Sequence, residues 1–187
     1  MADILEKNLD ELKEVTDWVA AEFKYLNEFK EKLTALKVTS DPKKEKTLVR
    51  ELGRSFRYAA RSERKLHRHF NRLLKGINEL KKILPLSQRS LLERLETSMD
   101  IAAKKILRES SFFVGQIKGE IKDLEVQIAL LRKNPRNKKA IANLAHLLSD
   151  LTKRNQELLK WLASLSTSLE RTRQFLEQLN KATQLAA

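Results

Sequence analysis

Residues 49–84 read VRELGRSFRYAARSERKLHRHFNRLLKGINELKKIL, and this stretch decides the fold. Val49, Leu52, Phe56, Ala59, Glu63, Leu66, Phe70, Leu73, Ile77, Leu80 and Leu84 alternate steps of three and four, and ten of these eleven residues are apolar. A half-buried strand would place apolar residues at every second position. Alternating threes and fours instead mark one stripe along an α-helix, sustained here as in a coiled coil. A helix cannot bury its own stripe, so other helices must cover it.

The three prolines divide the rest of the chain. Asp41-Pro42 followed by Glu45 predicts a helix start, with an Asp cap, Pro at the first helical position and an acid in the first turn. Pro85 ends that helix, because the residue before a proline is pushed out of the α region, and Ser87 is expected to cap the next one. Asn134-Pro135 ends the third helix and Asn137 caps the last. The predicted helices span about 3–37, 42–84, 88–133 and 138–183. At about 1.5 Å per residue they are rods of roughly 50 to 70 Å.

Each flanking segment carries its own stripe. The first runs through Leu5, Leu12, Val19, Leu26 and Leu33, the third through Leu92, Met99, Ile106, Ile121 and Ile128, and the fourth through Ile141, Leu148, Leu151, Leu162 and Leu169. Short turns between helices of similar length predict antiparallel neighbours. The expected fold is all-α, an elongated antiparallel up-down-up-down four-helix bundle with coiled-coil-like packing, forming a single domain over 1–187. The alternative is a longer hairpin that completes its core by dimerising.

Composition agrees. Only four Gly and three Pro in 187 residues leave few turns and exclude most β-rich folds. With 41% hydrophobic residues the chain is too apolar for a disordered segment, and without cysteine it has neither disulfides nor a thiol nucleophile. The opening MADILEKNLD lacks the apolar core of a secretory signal. Apolar runs reach only four residues, at 18–21 and 128–131, so no transmembrane segment is expected and a cytoplasmic protein is the default.

All four glycines, at 53, 76, 115 and 119, fall inside predicted helices. Each costs about 1 kcal/mol relative to Ala there, so each is expected to serve close approach of another backbone or a ligand. Folding the second and third helices back about Pro85 sets Gly53 opposite Gly119, Phe56 near Gln116 and Glu63 opposite Glu109. Folding the first helix about residue 39 brings Thr16 to the level of the two glutamates, one turn from His67. A carboxylate-bridged metal site would need Glu-x-x-His on two helices. The nearest approach, Glu63-Arg64-Lys65-Leu66-His67, is one residue too long, and His69 and His146 lack matching carboxylates. No metal or other cofactor is expected, and Glu63 and Glu109 should turn to the rim and pair with Lys or Arg. Without a phosphate loop, a nucleophile elbow or a usable Ser–His pair, the chain is expected not to be an enzyme.

Charge is the informative feature. The chain carries 38 Lys and Arg against 25 Asp and Glu, net +13. Residues 1–37 are net −3 while residues 38–84 are net +9. Arg50, Arg54, Arg57, Arg61, Arg64, Arg68 and Arg72 all face away from the second helix's stripe, joined by Lys65, Lys75 and Tyr58, with Glu51 the one outward acid of that stretch. Beside the stripe lie small residues, Gly53, Ser55, Ala60, Ser62 and Gly76, so neighbouring helices are expected to pack close and leave the arginines in solvent. A second cluster gathers at the first and third turns, predicted to share one end: Lys37, Lys43, Lys44 and Lys46 with Arg132, Lys133, Arg136, Lys138 and Lys139.

Arginine binds phosphate oxygens through a planar two-pronged fork and stacks on bases, which lysine does not. The pattern therefore points to a nucleic-acid-binding module that grips phosphates. With Tyr58 the lone aromatic on the ridge, duplex or structured RNA is expected over single strands. Two other readings use the same features: a scaffold that pairs with an acidic protein or with itself through Trp18, Tyr25 and Trp161, and a peripheral module on anionic membrane.

Overall fold

A computed structural model describes the backbone of residues 1–39 and 41–185, with their side chains apart from those at 56, 59, 60, 63 and 110–118. Among the described residues it is all-helical: α1 spans Ala2–Val38, α2 Pro42–Ile83, α3 Leu86–Lys133 and α4 Lys138–Leu185.

The helix ends follow from local hydrogen bonding. Asp41 caps α2: its carboxylate accepts from the Lys43 N–H at 2.9 Å, and its carbonyl accepts from the Glu45 N–H at 2.9 Å. Asn137 caps α4 in the same way, its side-chain oxygen accepting from the Ala140 N–H at 3.1 Å. Between α2 and α3 the reversal is tighter than the sequence suggests. The Leu84 N–H still donates to Leu80, and the Pro85 carbonyl already accepts from the Arg89 N–H at 2.9 Å. Pro85 itself thus takes the cap position, and Ser87, expected to be the cap, lies inside the first turn of α3. The Arg89 guanidinium reaches back 3.4 Å to the Leu84 carbonyl, closing an orphan acceptor at the end of α2.

Contacts divide the chain into two units, each drawing on all four helices. Unit 1 comprises Met1–Glu22, Ser62–Leu107 and Lys160–Ala187; unit 2 comprises Phe23–Arg61 and Arg108–Leu159. In unit 1, Leu5, Leu12, Leu73, Ile77, Leu92, Met99, Leu165 and Leu176 are wholly buried. In unit 2 the core is Leu26, Phe29, Leu33, Leu52, Leu124, Leu151 and their neighbours. Fully burying one such side chain contributes about 1.5–3 kcal/mol, so the stripes are the main source of stability. Ile141, placed on the α4 stripe by its spacing, is exposed instead, and its neighbour Ala140 is buried.

Side chains of different helices meet at specific pairs within each unit. In unit 1 Asn8 lies against Gly76, Glu11 against His69 and Arg72, and Trp18 against Lys65. Ser98 meets Ser168 at 2.8 Å, and the Thr172 hydroxyl lies 3.4 Å from the Met99 sulfur. In unit 2 Tyr25 meets Tyr58, and the Lys32 ammonium donates to the Ser55 hydroxyl at 2.5 Å. The buried Asn155 amide donates to the Leu26 carbonyl at 3.1 Å, so a core polar group is partnered across helices.

One expectation about α2 and α3 needs correction. Gly53 meets Ile121, not Gly119: a Cβ added at Gly53 would lie 3.7 Å from Ile121 Cδ1, and one at Gly119 would meet nothing. Residues two apart on a helix point about 200° apart, so an inward Ile121 turns Gly119 to solvent. Thr16, brought level with the two glutamates by the same folding, is exposed, and its hydroxyl donates 2.8 Å to Leu12 of its own helix. Glu109 is half-buried, while the side chains of Glu63, Phe56 and Gln116 lie outside the described residues, as does that position of Gly115. Gly76 does serve close approach, though of a side chain, since the Asn8 amide occupies the space a Cβ would take. Asn8 is held there by its own Nδ2 donating 2.7 Å to Ile4.

These environments make opposite predictions. Gly119→Ala should raise unfolding stability by about 0.5–1 kcal/mol, because it removes backbone entropy and meets open space. Gly76→Ala should lower it by about 1–2 kcal/mol through overpacking against Asn8, and adding Asn8→Ala should recover most of that loss. Urea denaturation followed by circular dichroism reads all three.

Candidate functional site

The stripe of α2 turns Val49, Leu52, Leu66, Phe70 and Leu73 into the protein, and the remaining helix surface necessarily faces out. In unit 2 this leaves Arg50, Arg54, Arg57 and Arg61 exposed; in unit 1 it leaves Arg64, Lys65, Arg68, Arg72 and Lys75 exposed. Ser55 and Ser62, beside the stripe, are buried, so they contribute no outward polar surface.

The nine cations are not equivalent. Arg72 lies 3.7 Å from Glu11, whose other carboxylate oxygen lies 3.0 Å from His69 Nδ1, so its charge is partly met. The Lys65 ammonium stands 4.5 Å above the Trp18 ring, a cation–π contact that commits it to α1. Lys75 lines a cleft with Lys7, Asn8, Glu11 and Glu79. Arg57 donates from Nε to the Gly53 carbonyl at 3.2 Å, which steadies its stem and leaves the terminal nitrogens free to reach outward. Among the described residues, no carboxylate lies within 4 Å of Arg50, Arg54, Arg57, Arg61, Arg64 or Arg68.

Arg173 on α4 shows the contrast. It donates to Glu170 at 2.8 and 3.0 Å and lies 3.7 Å from Glu177. The Arg173 hydrogen bond, followed by one from Gln174, holds the Glu170 carboxyl below the usual carboxylate range. On α2 Glu51 stands at the same spacing, three residues before Arg54, yet among the described residues it forms no ion pair with it.

The basic cluster at the turns of unit 2 is partly structural. Arg132 donates to the Pro42 carbonyl at 2.8 Å and lies 3.4 Å from Glu45, tying the third turn to the first. Lys37 donates to the Thr152 hydroxyl at 3.2 Å. Lys43, Lys44, Lys46, Lys133, Arg136, Lys138 and Lys139 are exposed around this contact.

The aromatic residues differ most from the sequence reading. Tyr58 is not alone: Tyr25 of α1 stacks on it with ring centroids 5.5 Å apart and planes at 19°. Register hides this pair from the sequence. Tyr25 with Tyr58, and Trp18 with Lys65, both sum to 83, whereas folding α1 about residue 39 sets the partners several positions off. Trp18 and Trp161 are half-buried, and Trp161 is flanked by Lys105 and Lys160 at 5.8 Å each. Among the described residues, no group of three His, Asp or Glu side chains stands close enough to hold a metal, and no helix is long and apolar enough to cross a membrane. Comparison with protein-family models, curated proteins and solved structures returned no match to this chain.

The Lys65–Trp18 contact has a spectroscopic consequence. In a Trp161→Phe background, Lys65→Ala should raise acrylamide quenching of Trp18 by uncovering its outer face. It should cost only about 0.5–1 kcal/mol of stability. Unchanged quenching would place the lysine off the ring.

Proposed function

We propose that this protein is a non-enzymatic binding module whose exposed α2 arginines grip the phosphates of a nucleic acid. In the same reading, the helix segments of each unit form an antiparallel up-down-up-down four-helix bundle that holds α2 in place. The observation that carries the proposal is that, among the described residues, no carboxylate lies within 4 Å of Arg50, Arg54, Arg57 or Arg61. Surface charges are ordinarily interspersed with opposite charges, which lowers their mutual repulsion. Four guanidinium groups at Arg50, Arg54, Arg57 and Arg61, each about a helical turn from the next, repel one another unless an anion lies over them.

The anion that matches such a row is a chain of phosphates. Each guanidinium offers two parallel N–H donors to a phosphate, and the helix holds successive forks at a near-constant rise of about 5.4 Å per turn. Neutralising phosphates also releases condensed counterions, which supplies affinity without any base contact. The lysines at 43, 44, 46, 133, 138 and 139 add longer-range attraction in the same unit.

The test separates a specific row from bulk charge. Replacing Arg50, Arg54, Arg57 and Arg61 by Gln should weaken binding of a fluorescent oligonucleotide by more than about tenfold. Replacing Lys24, Lys30, Lys122 and Lys153, exposed cations of the same unit, should weaken it only several-fold. Both variants lose the same charge, so equal losses in an anisotropy titration would sink the proposal. Circular dichroism establishes first that both are as helical as the parent.

A further inference from the structure

We propose that the nucleic acid bound at unit 2 is single-stranded, with one unpaired base stacked on Tyr58. This rests on the phosphate-binding reading above and adds the class of strand. The sequence alone leaves Tyr58 as an isolated aromatic, which favours a duplex. The stacked pair reverses that preference.

Tyr58 and Tyr25 form an offset stack, with centroids 5.5 Å apart and planes within 19° of parallel. Tyr25 covers one face of the Tyr58 ring from α1, yet Tyr58 remains 51% exposed. About half of its surface is thus open to solvent. Among the described residues the half-buried tryptophans, by contrast, are flanked by lysines. The partner ring also restricts Tyr58, so less freedom is lost when a third ring adds to the stack.

The surrounding charge fits a base with its own phosphates. Arg54, Arg57 and Arg61 lie four residues before, one before and three after Tyr58 on the same helix, and all three are exposed. They surround the ring with cations placed to take the phosphates flanking a base that stacks on it. A duplex offers no such base, because its rings are already stacked inside the helix and only edges and phosphates are presented. Single strands are held by this combination of a cationic track and aromatic faces, and each stacked base adds about 5- to 150-fold in affinity. Stacking does not distinguish ribose from deoxyribose, so RNA and DNA probes are both needed.

The experiment uses the full chain and four fluorescent probes in anisotropy titrations at one low salt concentration: a uridine 12-mer, a thymidine 12-mer, the thymidine strand annealed to its complement, and an abasic strand with the same phosphates. Both single strands should bind at least about tenfold more tightly than the duplex or the abasic strand. Tyr58→Ala should remove that preference, bringing the single strands to the abasic level, while Tyr58→Phe should retain it because the ring remains. Equal binding of single strand and duplex by the parent protein, or a preference that survives Tyr58→Ala, would overturn the stacking proposal alone. Failure of every probe to bind at low salt would overturn the phosphate-binding reading with it.

Discussion

Burial of the apolar stripe on α2 is the constraint on which the other features depend. Leu52, Leu66, Phe70, Leu73, Ile77 and Leu80 can be withdrawn from water only on one side of the helix, which fixes its rotation. Once that rotation is fixed, the intervening residues have no choice of direction, and the arginines stand in solvent. The same constraint sets which residues of α1 meet α2. Asn8 settles into the notch at Gly76, Glu11 reaches His69 and Arg72, and Tyr25 comes to rest on Tyr58. Placement of the candidate site is thus a by-product of core packing.

Two kinds of arginine coexist on the surface, and the difference is informative. Where Glu170 and Glu177 stand one turn from Arg173, the guanidinium is met by its own helix and perturbs the titration of its partner. Along α2 Glu51 is the one acid three or four residues from Arg50, Arg54, Arg57 or Arg61, and among the described residues no carboxylate lies within 4 Å of the four. Isolated surface ion pairs contribute little to stability, so their absence costs the fold little. The absence leaves exposed guanidinium groups close to one another along one helix.

The helical class was legible in the sequence because the three-and-four period over 49–84 has no strand equivalent, and because Asp41 and Asn137 carry short side chains suited to capping. Less legible was anything that depended on the exact offset between helices. Ser87 is a good capping residue, yet Pro85 holds that position with its carbonyl alone and needs no longer turn. Folding about Pro85 sets Gly119 against Gly53 by an offset two residues short, and a two-residue shift on a helix turns a facing position into an exposed one. The Tyr25–Tyr58 stack was hidden for the same reason. Residue types on each face follow from period, whereas cross-helix partners follow from register, which the turns set to within a few residues only.

Binding of a chain of phosphates by the α2 arginines has its sharpest signature in salt dependence. Affinity of the unmodified protein for a single-stranded oligonucleotide should fall steeply between 50 and 200 mM salt. Four engaged phosphates predict a log–log slope near −3, at about −0.7 per phosphate of a single strand. A slope close to zero, whatever the affinity, would contradict the account.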